Sequence, residues 1–547
     1  MNYFLFFNQT IAASPARLGF AAGLIATLVV LATLGDPGIT SDEPLDVRPG
    51  RTYVSTLLRE GGGFWKRSTI DRVFRDNAEH PPLGRWLLGI ASYLGEPLVN
   101  LGLLGGRDPF DVHAGRLAPA FAFGLMTALI VAATSRNMGR AAAIAAGCAI
   151  VATPRLFAHA HFAALDTFIC LFSIATLLAV DRALSTPRAV VSLTLAGFVW
   201  GLAILTKIPA WLLVPVVFVE SLARLGFKRG LLGFSGWLIA GIAVFIGGWP
   251  WLWTHSLERI RAYFGTGIER IPIRVEYFGT YYWDRDVPWH YPWIYFLVTI
   301  PIGFHLLGSI GAVRLVASRP LEPFTRPFVA TILIFLILFS TRVPVYDGER
   351  LFLVVFPAYA VLIGGGFAAV WRALQGRFVK LRIGLIAFML IHFYGTIVYH
   401  PFQLSYYNMI VGGLKGAERL GLEPTYWGDA VDRVLLDELA NRGRPGETAA
   451  LAPTLHHIQA IAATTDRLLA NKITLVDQSR AFESDWIVAY RRSAYWPAPL
   501  AAYIKRRPAE FLRVRRGVWL AGIWRGPRRN AVDLAPKTAA FKNRASP

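Results

Sequence analysis

The sequence predicts an α-helical polytopic membrane protein with about eleven spans, followed by a small α/β domain. Three observations lead to this prediction. The 547 residues are 54% hydrophobic and 17% charged, with a mean hydropathy of +0.44, which is too apolar for an ordinary soluble enzyme of this length. Long apolar runs recur as far as residue 400. Beyond that point the composition changes, and no later run is long enough to cross a bilayer.

The first apolar run, residues 19–34, predicts a retained span with a cytoplasmic amino terminus. It follows Arg17 and lacks the small-residue cleavage site that ends a signal peptide. The polar loop after it, residues 36–82, is then expected on the extracytoplasmic side.

Ten further apolar runs are predicted to cross the membrane. They are residues 117–134, 141–152, 163–181, 190–205, 210–222, 231–253, 293–313, 328–339, 351–371 and 383–399. An odd total places the two ends of the chain on opposite sides of the membrane, so the residues after 400 are expected outside.

A shorter run that begins at Leu83 predicts an amphipathic helix along the membrane interface. Trp86 and Ile90 share a helix face with Leu83, whereas Arg85 faces away. The preceding prolines at 81–82 suit a first helical turn, where amide hydrogens have no partners.

Positive charge is concentrated in the loops predicted to be cytoplasmic, as the positive-inside rule requires. These loops carry Arg136, Arg140, Arg182, Arg188, Arg224, Lys228, Arg229, Arg314, Arg319, Arg326, Arg372, Arg377, Lys380 and Arg382. The formal charge of +21 therefore predicts contact with anionic lipid headgroups and not with nucleic acid. The expected location is the cytoplasmic membrane.

The chain is divided near residue 400 into two predicted domains. Residues 1–400 form the membrane domain, residues 401–530 an extracytoplasmic α/β domain, and residues 531–547 a disordered tail. The second domain is predicted to contain helices at 431–441 and 500–506, and strands at 448–451, 473–476, 486–490 and 511–524.

Asp42 and Glu43 are adjacent carboxylates just after the first span. Near low-dielectric surroundings, such a pair could supply a general base and an orienting or metal-binding group. The alternative is structural: Thr40-x-x-Glu43 matches a capping box, and Asp42 would cap the same helix.

Glu79 and His80 lie at the predicted start of the interfacial helix. Unpaired amides and the helix dipole favour an anion such as phosphate at this place. Alternatively, the two side chains only cap the helix.

Four further charged residues are expected on the extracytoplasmic side. Asp166 opens a span, where a carboxylate is costly unless it has a partner. Lys207 lies between two spans and could bind a lipid phosphate or extend to the headgroups. Arg350 directly precedes a span and is a candidate for binding phosphate through its planar fork of donors, and Arg342 is a weaker one.

Together these residues resemble the membrane glycosyltransferases of the GT-C fold, in particular the family 39 group of protein O-mannosyltransferases and lipid A aminoarabinose transferases. The resemblance lies in Asp42-Glu43, Asp166, residues 79–87 (EHPPLGRWL), residues 201–207 (GLAILTK) and residues 350–352 (RLF). The segment from His400 to Asn408 is similar to a bacterial subgroup with an extracytoplasmic carboxy-terminal domain.

The resemblance implies a sugar donor carried on a polyprenyl phosphate and inverting transfer on the outer face of the membrane. It implies that Asp42 is the general base, Glu43 a supporting acid and Asp166 a residue that shapes the donor pocket. The substrate-binding set that it implies is Glu79, His80, Arg85, Lys207, Arg342 and Arg350. His80 stands where the aminoarabinose branch has lysine. Relatives differ in their use of a divalent metal, for which Glu79 is the candidate ligand.

Two other functions share some of these features. A flippase for polyprenyl-linked lipids would also have many spans and intramembrane charges, but transporters often contain internal repeats, and the acidic residues here gather at one face. A polysaccharide polymerase would use the same donors. The resemblance leaves open the sugar, hexosyl or pentosyl, and whether the acceptor is a protein, a lipid or a polysaccharide.

Overall fold

The computed structural model describes most of the chain. The described residues are 14–75, 80–104, 108, 110–266, 272–318, 322–374, 379–454, 457–462 and 466–528. The predicted disordered tail and Glu79 lie outside these ranges.

Each of the eleven predicted apolar segments contains a helix. Within the described ranges, six helices are long and apolar enough to span a membrane: Val112–Met138, Asp166–Leu184, Ile208–Leu225, Phe227–Gly248, Val355–Ala373 and Val379–Val398. Four shorter apolar helices accompany them: Pro15–Leu31, Arg140–Val151, Ala189–Ile204 and Arg326–Phe339. The protein is therefore a multi-pass membrane protein, as predicted.

The remaining predicted span, residues 293–313, is not one straight helix. Helices Tyr291–Thr299 and Ile302–Ala317 meet at an angle of 111°. Pro301 explains the break, because proline lacks an amide hydrogen and disfavours the helical conformation of the residue before it. Ile300 is accordingly extended, with φ −99° and ψ 139°.

Two helices that follow the first apolar helix pack against each other through glycines. They are Glu43–Glu60 and Leu83–Asn100. In the second, Leu83, Trp86 and Ile90 stay partly or largely exposed, and Arg85 faces away from them into the protein. A Cβ on Gly89 would lie 2.2 Å from the carbonyl of Gly50, so only glycine permits this backbone contact.

The carboxy-terminal domain contains a five-stranded mixed sheet. Its strands, numbered after the hairpin β1 (Arg274–Tyr277) and β2 (Thr280–Trp283) of the membrane domain, are β3 (Thr448–Ala452), β4 (Thr474–Asp477), β5 (Trp486–Tyr490), β6 (Phe511–Arg515) and β7 (Val518–Arg525). The order is β4-β3-β5-β7-β6, with β3 parallel to both neighbours and β7 antiparallel to both of its own. The main helices of this domain are Gly413–Arg419, Arg433–Arg442 and Ala498–Arg506.

The prediction of a single strand at 511–524 was wrong. A turn at Arg516 and Gly517 divides it into β6 and β7, and both turn residues have positive φ, 50° and 78°. Phe278 and Gly279 form the corresponding turn of the β1–β2 hairpin, with φ 48° and 73°. Turns of this kind match the twist of the flanking strands, and a glycine second in the pair is their main sequence sign.

Replacing Gly89 with alanine is expected to destabilise the protein by about 1–3 kcal/mol, because the new methyl group meets the backbone of Gly50. Gly384→Ala is the matched control, since a Cβ at this helical glycine meets nothing within 4 Å. The measurement is the thermal unfolding midpoint in detergent. Equal midpoints for Gly89→Ala and wild type would contradict the packing described above.

Candidate active site

The loop that carries Asp42 is fixed to the carboxy-terminal part of the chain by backbone hydrogen bonds. The Gly38 amide donates to the Asp429 carbonyl at 2.8 Å, and the Ser41 amide donates to the Trp427 carbonyl at 3.1 Å. Asp42 is the first residue after this pairing and precedes helix Glu43–Glu60. Its position therefore depends on both domains.

Arg350 joins three carboxylates from separate parts of the chain. Its guanidinium donates to Asp42, to Asp166 at 3.2 Å and to Asp347 at 3.1 Å. The Asp166 carboxylate also accepts a hydrogen bond from Lys207 Nζ at 2.6 Å. The structure thus brings together four of the residues singled out from the sequence, which are Asp42, Asp166, Lys207 and Arg350.

The cluster is open to solvent at Asp42. The side chain of Asp42 is 28% exposed, whereas the side chains of Asp166 and Lys207 are 1% and 7% exposed. Asp42 is therefore the carboxylate of the cluster that an incoming molecule can reach most easily.

Arg350 controls the proton affinity of Asp42. Burial acts to raise the pKa of Asp42, but the charge and hydrogen bond of Arg350 outweigh it, so that the pKa lies below its ordinary value. While this contact persists, Asp42 is ionised at neutral pH and is a weak base.

The carboxy-terminal domain contributes two residues that the sequence analysis missed. Arg492 donates to Asp347 at 2.5 Å and to the Tyr426 carbonyl at 2.8 Å. The guanidinium of Arg350 lies 4.2 Å from the ring centre of Trp427, within cation–π distance. An arginine after a strand and a tryptophan in a loop carry no motif, so only the fold assigns them to this cluster.

A second buried ion pair lies beside the first. Arg155 donates to Glu349 at 2.6 Å and to the Tyr406 carbonyl at 3.0 Å. The ring of His159 lies 5.2 Å from that of Trp427. These contacts place the segment around Arg155 next to the Arg350 cluster, with Arg155 neutralised by a carboxylate.

Glu43 points away from Asp42 and is fully buried. Its carboxylate accepts two hydrogen bonds from Arg116, at 2.7 and 2.8 Å, and others from the amides of Thr40 and Ala163. Arg116 also donates to three backbone carbonyls of residues 34–38, so that all five of its donors are used. The bond from Glu43 back to Thr40 is the capping-box contact suggested by the sequence.

Arg85 and His80 lie next to the cluster without joining it. Arg85 is fully buried, donates to Asp46 at 3.1 Å and to the His80 carbonyl at 3.3 Å. Burial, opposed by the charge of Arg85, raises the pKa of Asp46 to about 6. Burial and the cations of Arg85, Lys207 and Arg350 hold the pKa of His80 well below its usual range, so its imidazole is neutral.

The remaining predicted site residues are not in the cluster. Arg342 is exposed, on the same loop as Arg350 but outside its set of contacts. Glu79 lies outside the described residues. Within the described parts of the chain, no group of three or more histidine, cysteine, aspartate or glutamate residues is placed to hold a metal ion.

The fold and the cluster together define a class of protein: a multi-pass helical membrane protein with buried ion pairs where the helices meet an α/β domain. The structure is similar to two crystal structures of ArnT from Cupriavidus metallidurans. With the form bound to undecaprenyl phosphate the TM-score is 0.52, and with the apo form it is 0.51. In both comparisons the identity is 15%, and the match covers 92% of this chain and 97% of ArnT. The chain therefore has the GT-C fold, and the resemblance seen in its sequence is confirmed.

A family model and a third solved structure are also similar to this chain. The family model described as dolichyl-phosphate-mannose-protein mannosyltransferase matches residues 74–260, a segment that includes His80, Arg85, Asp166 and Lys207. The archaeal oligosaccharyltransferase AglB from Archaeoglobus fulgidus, in complex with an inhibitory peptide and a dolichol-phosphate, has a TM-score of 0.44 at 14% identity, covering 92% of this chain and 74% of AglB. No curated protein sequence matches the chain.

Replacing each of the two adjacent acids, Asp42 and Glu43, by its amide is expected to change the stability of the protein by different amounts. Glu43→Gln should cost about 3–5 kcal/mol of stability, because it leaves the charge of Arg116 buried without its carboxylate. Asp42→Asn should cost much less, since Arg350 keeps Asp166 and Asp347. Thermal unfolding midpoints of both variants in detergent test this difference. A larger loss in Asp42→Asn than in Glu43→Gln would contradict the assignment.

Proposed function

We propose that the protein is a glycosyltransferase that moves a sugar from a polyprenyl-phosphate donor to an acceptor at the extracytoplasmic face of the cytoplasmic membrane. The observation that carries the proposal is the partly exposed Asp42, held beside two buried cations, Arg350 and Lys207. The family model over residues 74–260 and the ArnT structure bound to undecaprenyl phosphate support the same donor class.

In the proposed reaction a hydroxyl oxygen of the acceptor attacks the anomeric carbon of the donor sugar. The bond from that carbon to the phosphate oxygen breaks, and the phosphate keeps the electron pair. Asp42 takes the proton of the acceptor hydroxyl. A single displacement of this kind inverts the anomeric carbon.

Lys207 and Arg350 stabilise the leaving phosphate. Negative charge grows on the phosphate as the bond breaks, so fixed cations in a buried site favour the transition state over the ground state. Asp166 positions both cations, because it is hydrogen-bonded to each.

The donor phosphate also activates the base in this mechanism. Without donor, Arg350 holds the pKa of Asp42 low. A phosphate that binds the Arg350 guanidinium competes with Asp42 for it and adds a nearby negative charge. Both effects raise the proton affinity of Asp42 when the donor is in place.

The other predicted site residues have supporting roles. Glu43 positions the loop of Asp42 through Arg116, and Arg85 holds Asp46 beside the cluster. His80 is the candidate for a neutral hydrogen-bonding contact to the donor, and Arg342 has no part in the reaction. The loops predicted to be cytoplasmic contact anionic lipids.

The direct test is sugar release from a panel of synthetic polyprenyl-phosphate hexoses and pentoses by the purified protein. We expect one donor to be consumed, and Asp42→Asn to lower turnover by about 100-fold or more, the range of a general base, while donor binding persists. If no donor is consumed and the wild-type protein instead moves a labelled polyprenyl lipid across proteoliposomes, it is a flippase and the proposal fails.

The pH profile tests the link between Arg350 and Asp42. In wild type, protonation of Asp42 should not lower kcat/KM until the pH falls below about 4, the ordinary aspartate value, because the pKa of the free enzyme is depressed. Arg350→Lys loses the planar fork of donors that lowers the pKa of Asp42. The effect of burial should then outweigh that of the cation and raise this pKa, so that the acid limb of the profile moves to higher pH and kcat falls.

Arg342→Lys is the matched control, an arginine to lysine change on the same loop at an exposed position. Its pH profile should coincide with that of wild type. An acid limb that does not move in Arg350→Lys would show that Asp42 is not the base or that Arg350 does not set its pKa.

A further inference from the structure

A second concave site lies in the carboxy-terminal domain, apart from the Arg350 cluster. It is a groove of about 520 Å³ between the β6–β7 hairpin, helix Ala498–Arg506 and the edge formed by Glu276 and Glu418. The lining residues include none of the cluster residues described above. The proposed reaction leaves this groove without a role.

One wall of the groove is aromatic. The rings of Trp496 and Trp519 stack with centroids 5.9 Å apart and an interplanar angle of 13°, and Trp524 packs edge-on against Trp519. Trp496 and Trp519 are only half-buried. The indole Nε1 of Trp496 has no acceptor among the described residues, so this wall holds a donor that the protein does not satisfy. Indole faces of this kind suit the C–H face of a sugar ring, with polar groups at the edges to bind its hydroxyls.

The opposite side of the groove is polar, and two of its carboxylates are already engaged. Glu418 pairs with Arg491, and Glu276 accepts a hydrogen bond from Ser493. Arg491 neutralises Glu418, whereas the neutral hydroxyl of Ser493 leaves Glu276 with its negative charge.

Two cations at the rim have no such partner. Lys505 and Arg507 line the groove, are exposed and form no ion pair within the part of the chain that the structure describes. Arg491 adds its guanidinium 5.1 Å from the ring centre of Trp519. A ligand with negative charge complements this rim better than a neutral one.

The groove and the Arg350 cluster share one stretch of backbone. Arg491 and Ser493 line the groove, whereas Arg492 between them bonds Asp347 of the cluster. Consecutive Cα atoms are about 3.8 Å apart, so Arg492 is within one residue of both groove-lining positions. A molecule in the groove therefore lies directly behind the residue that supports Arg350 through Asp347.

We propose that this groove binds an anionic oligosaccharide, and that this oligosaccharide is part of the acceptor. The assignment of the ligand rests on the tryptophan wall and the uncompensated cations. The acceptor role rests in addition on the proposed function. The proposed acceptor therefore carries a glycan with carboxylate or phosphate groups, and the groove does not recognise it through a peptide alone.

Binding of a fluorescein-labelled oligogalacturonide hexasaccharide to the full-length protein in detergent, followed by anisotropy, tests the ligand. We expect Trp496→Ala and Lys505→Gln each to weaken binding by about tenfold, equivalent to about 1.4 kcal/mol. Lys505 is exposed, so its substitution should leave the fold intact even if Trp496→Ala destabilises the domain. A neutral oligomannoside of the same length should bind more weakly than the charged probe.

The controls are an exposed tryptophan and an exposed lysine away from the groove. Trp289→Ala and Lys472→Gln should bind the hexasaccharide as wild type does. Equal binding by wild type and Lys505→Gln would overturn the proposal. So would an acidic hexapeptide that binds as tightly as the charged sugar, because the groove would then recognise charge alone.

Donor consumption separates this inference from the proposed function. Release of sugar to water needs the Asp42 cluster but not the groove, so Lys505→Gln should retain it. If wild type consumes the donor but does not bind the hexasaccharide, the groove assignment fails and the proposed function stands. If wild type binds the hexasaccharide but consumes no donor, the proposed function and the acceptor role fail together.

Discussion

The site depends on the ion pairs that the Arg350 guanidinium forms with three carboxylates. A buried guanidinium is costly unless its donors are paired, and leaving such a group without a carboxylate is strongly destabilising. Arg350 meets this requirement with carboxylates from the first loop, from the start of helix Asp166–Leu184 and from its own turn. Three distant segments are therefore held together at Arg350, which binds both Asp42 and Asp166, and Asp166 in turn binds Lys207.

The carboxy-terminal domain contributes contacts to the Arg350 cluster and is therefore packed as part of the same structure. Arg492 holds Asp347, and the Trp427 ring covers the Arg350 guanidinium. The Trp427 carbonyl, in turn, pairs with the loop that precedes Asp42. Loss of the domain would remove support from both ends of the Arg350–Asp42 contact, so the position of the Asp42 loop depends on the carboxy-terminal domain.

The apolar helices could be predicted from the sequence because spans follow directly from the cost of polar groups in lipid. The same cost singled out Asp166, whereas Asp42, Lys207 and Arg350 were singled out mainly by the family resemblance. The sequence could not separate the roles of Asp42 and Glu43. The two are adjacent and chemically alike, and only the buried Arg116 shows which of them is structural. Arg492 could not be predicted either, because its partner Asp347 lies 145 positions away in the sequence. An apolar run as long as residues 293–313 predicts one span from its hydropathy alone, whereas the bend depends on the single residue Pro301.

The charge balance of the cluster indicates how a phosphate could enter it. Asp42, Asp166 and Asp347 face the cations Lys207, Arg350 and Arg492, so the cluster is neutral and has no cation in excess. An incoming phosphate must therefore replace a carboxylate. Asp166 and Asp347 each bind two cations, whereas Asp42 binds only Arg350 and is the most exposed of the three. Asp42 is the carboxylate that is released most easily, and once released from Arg350 it regains the proton affinity that its proposed role as general base requires.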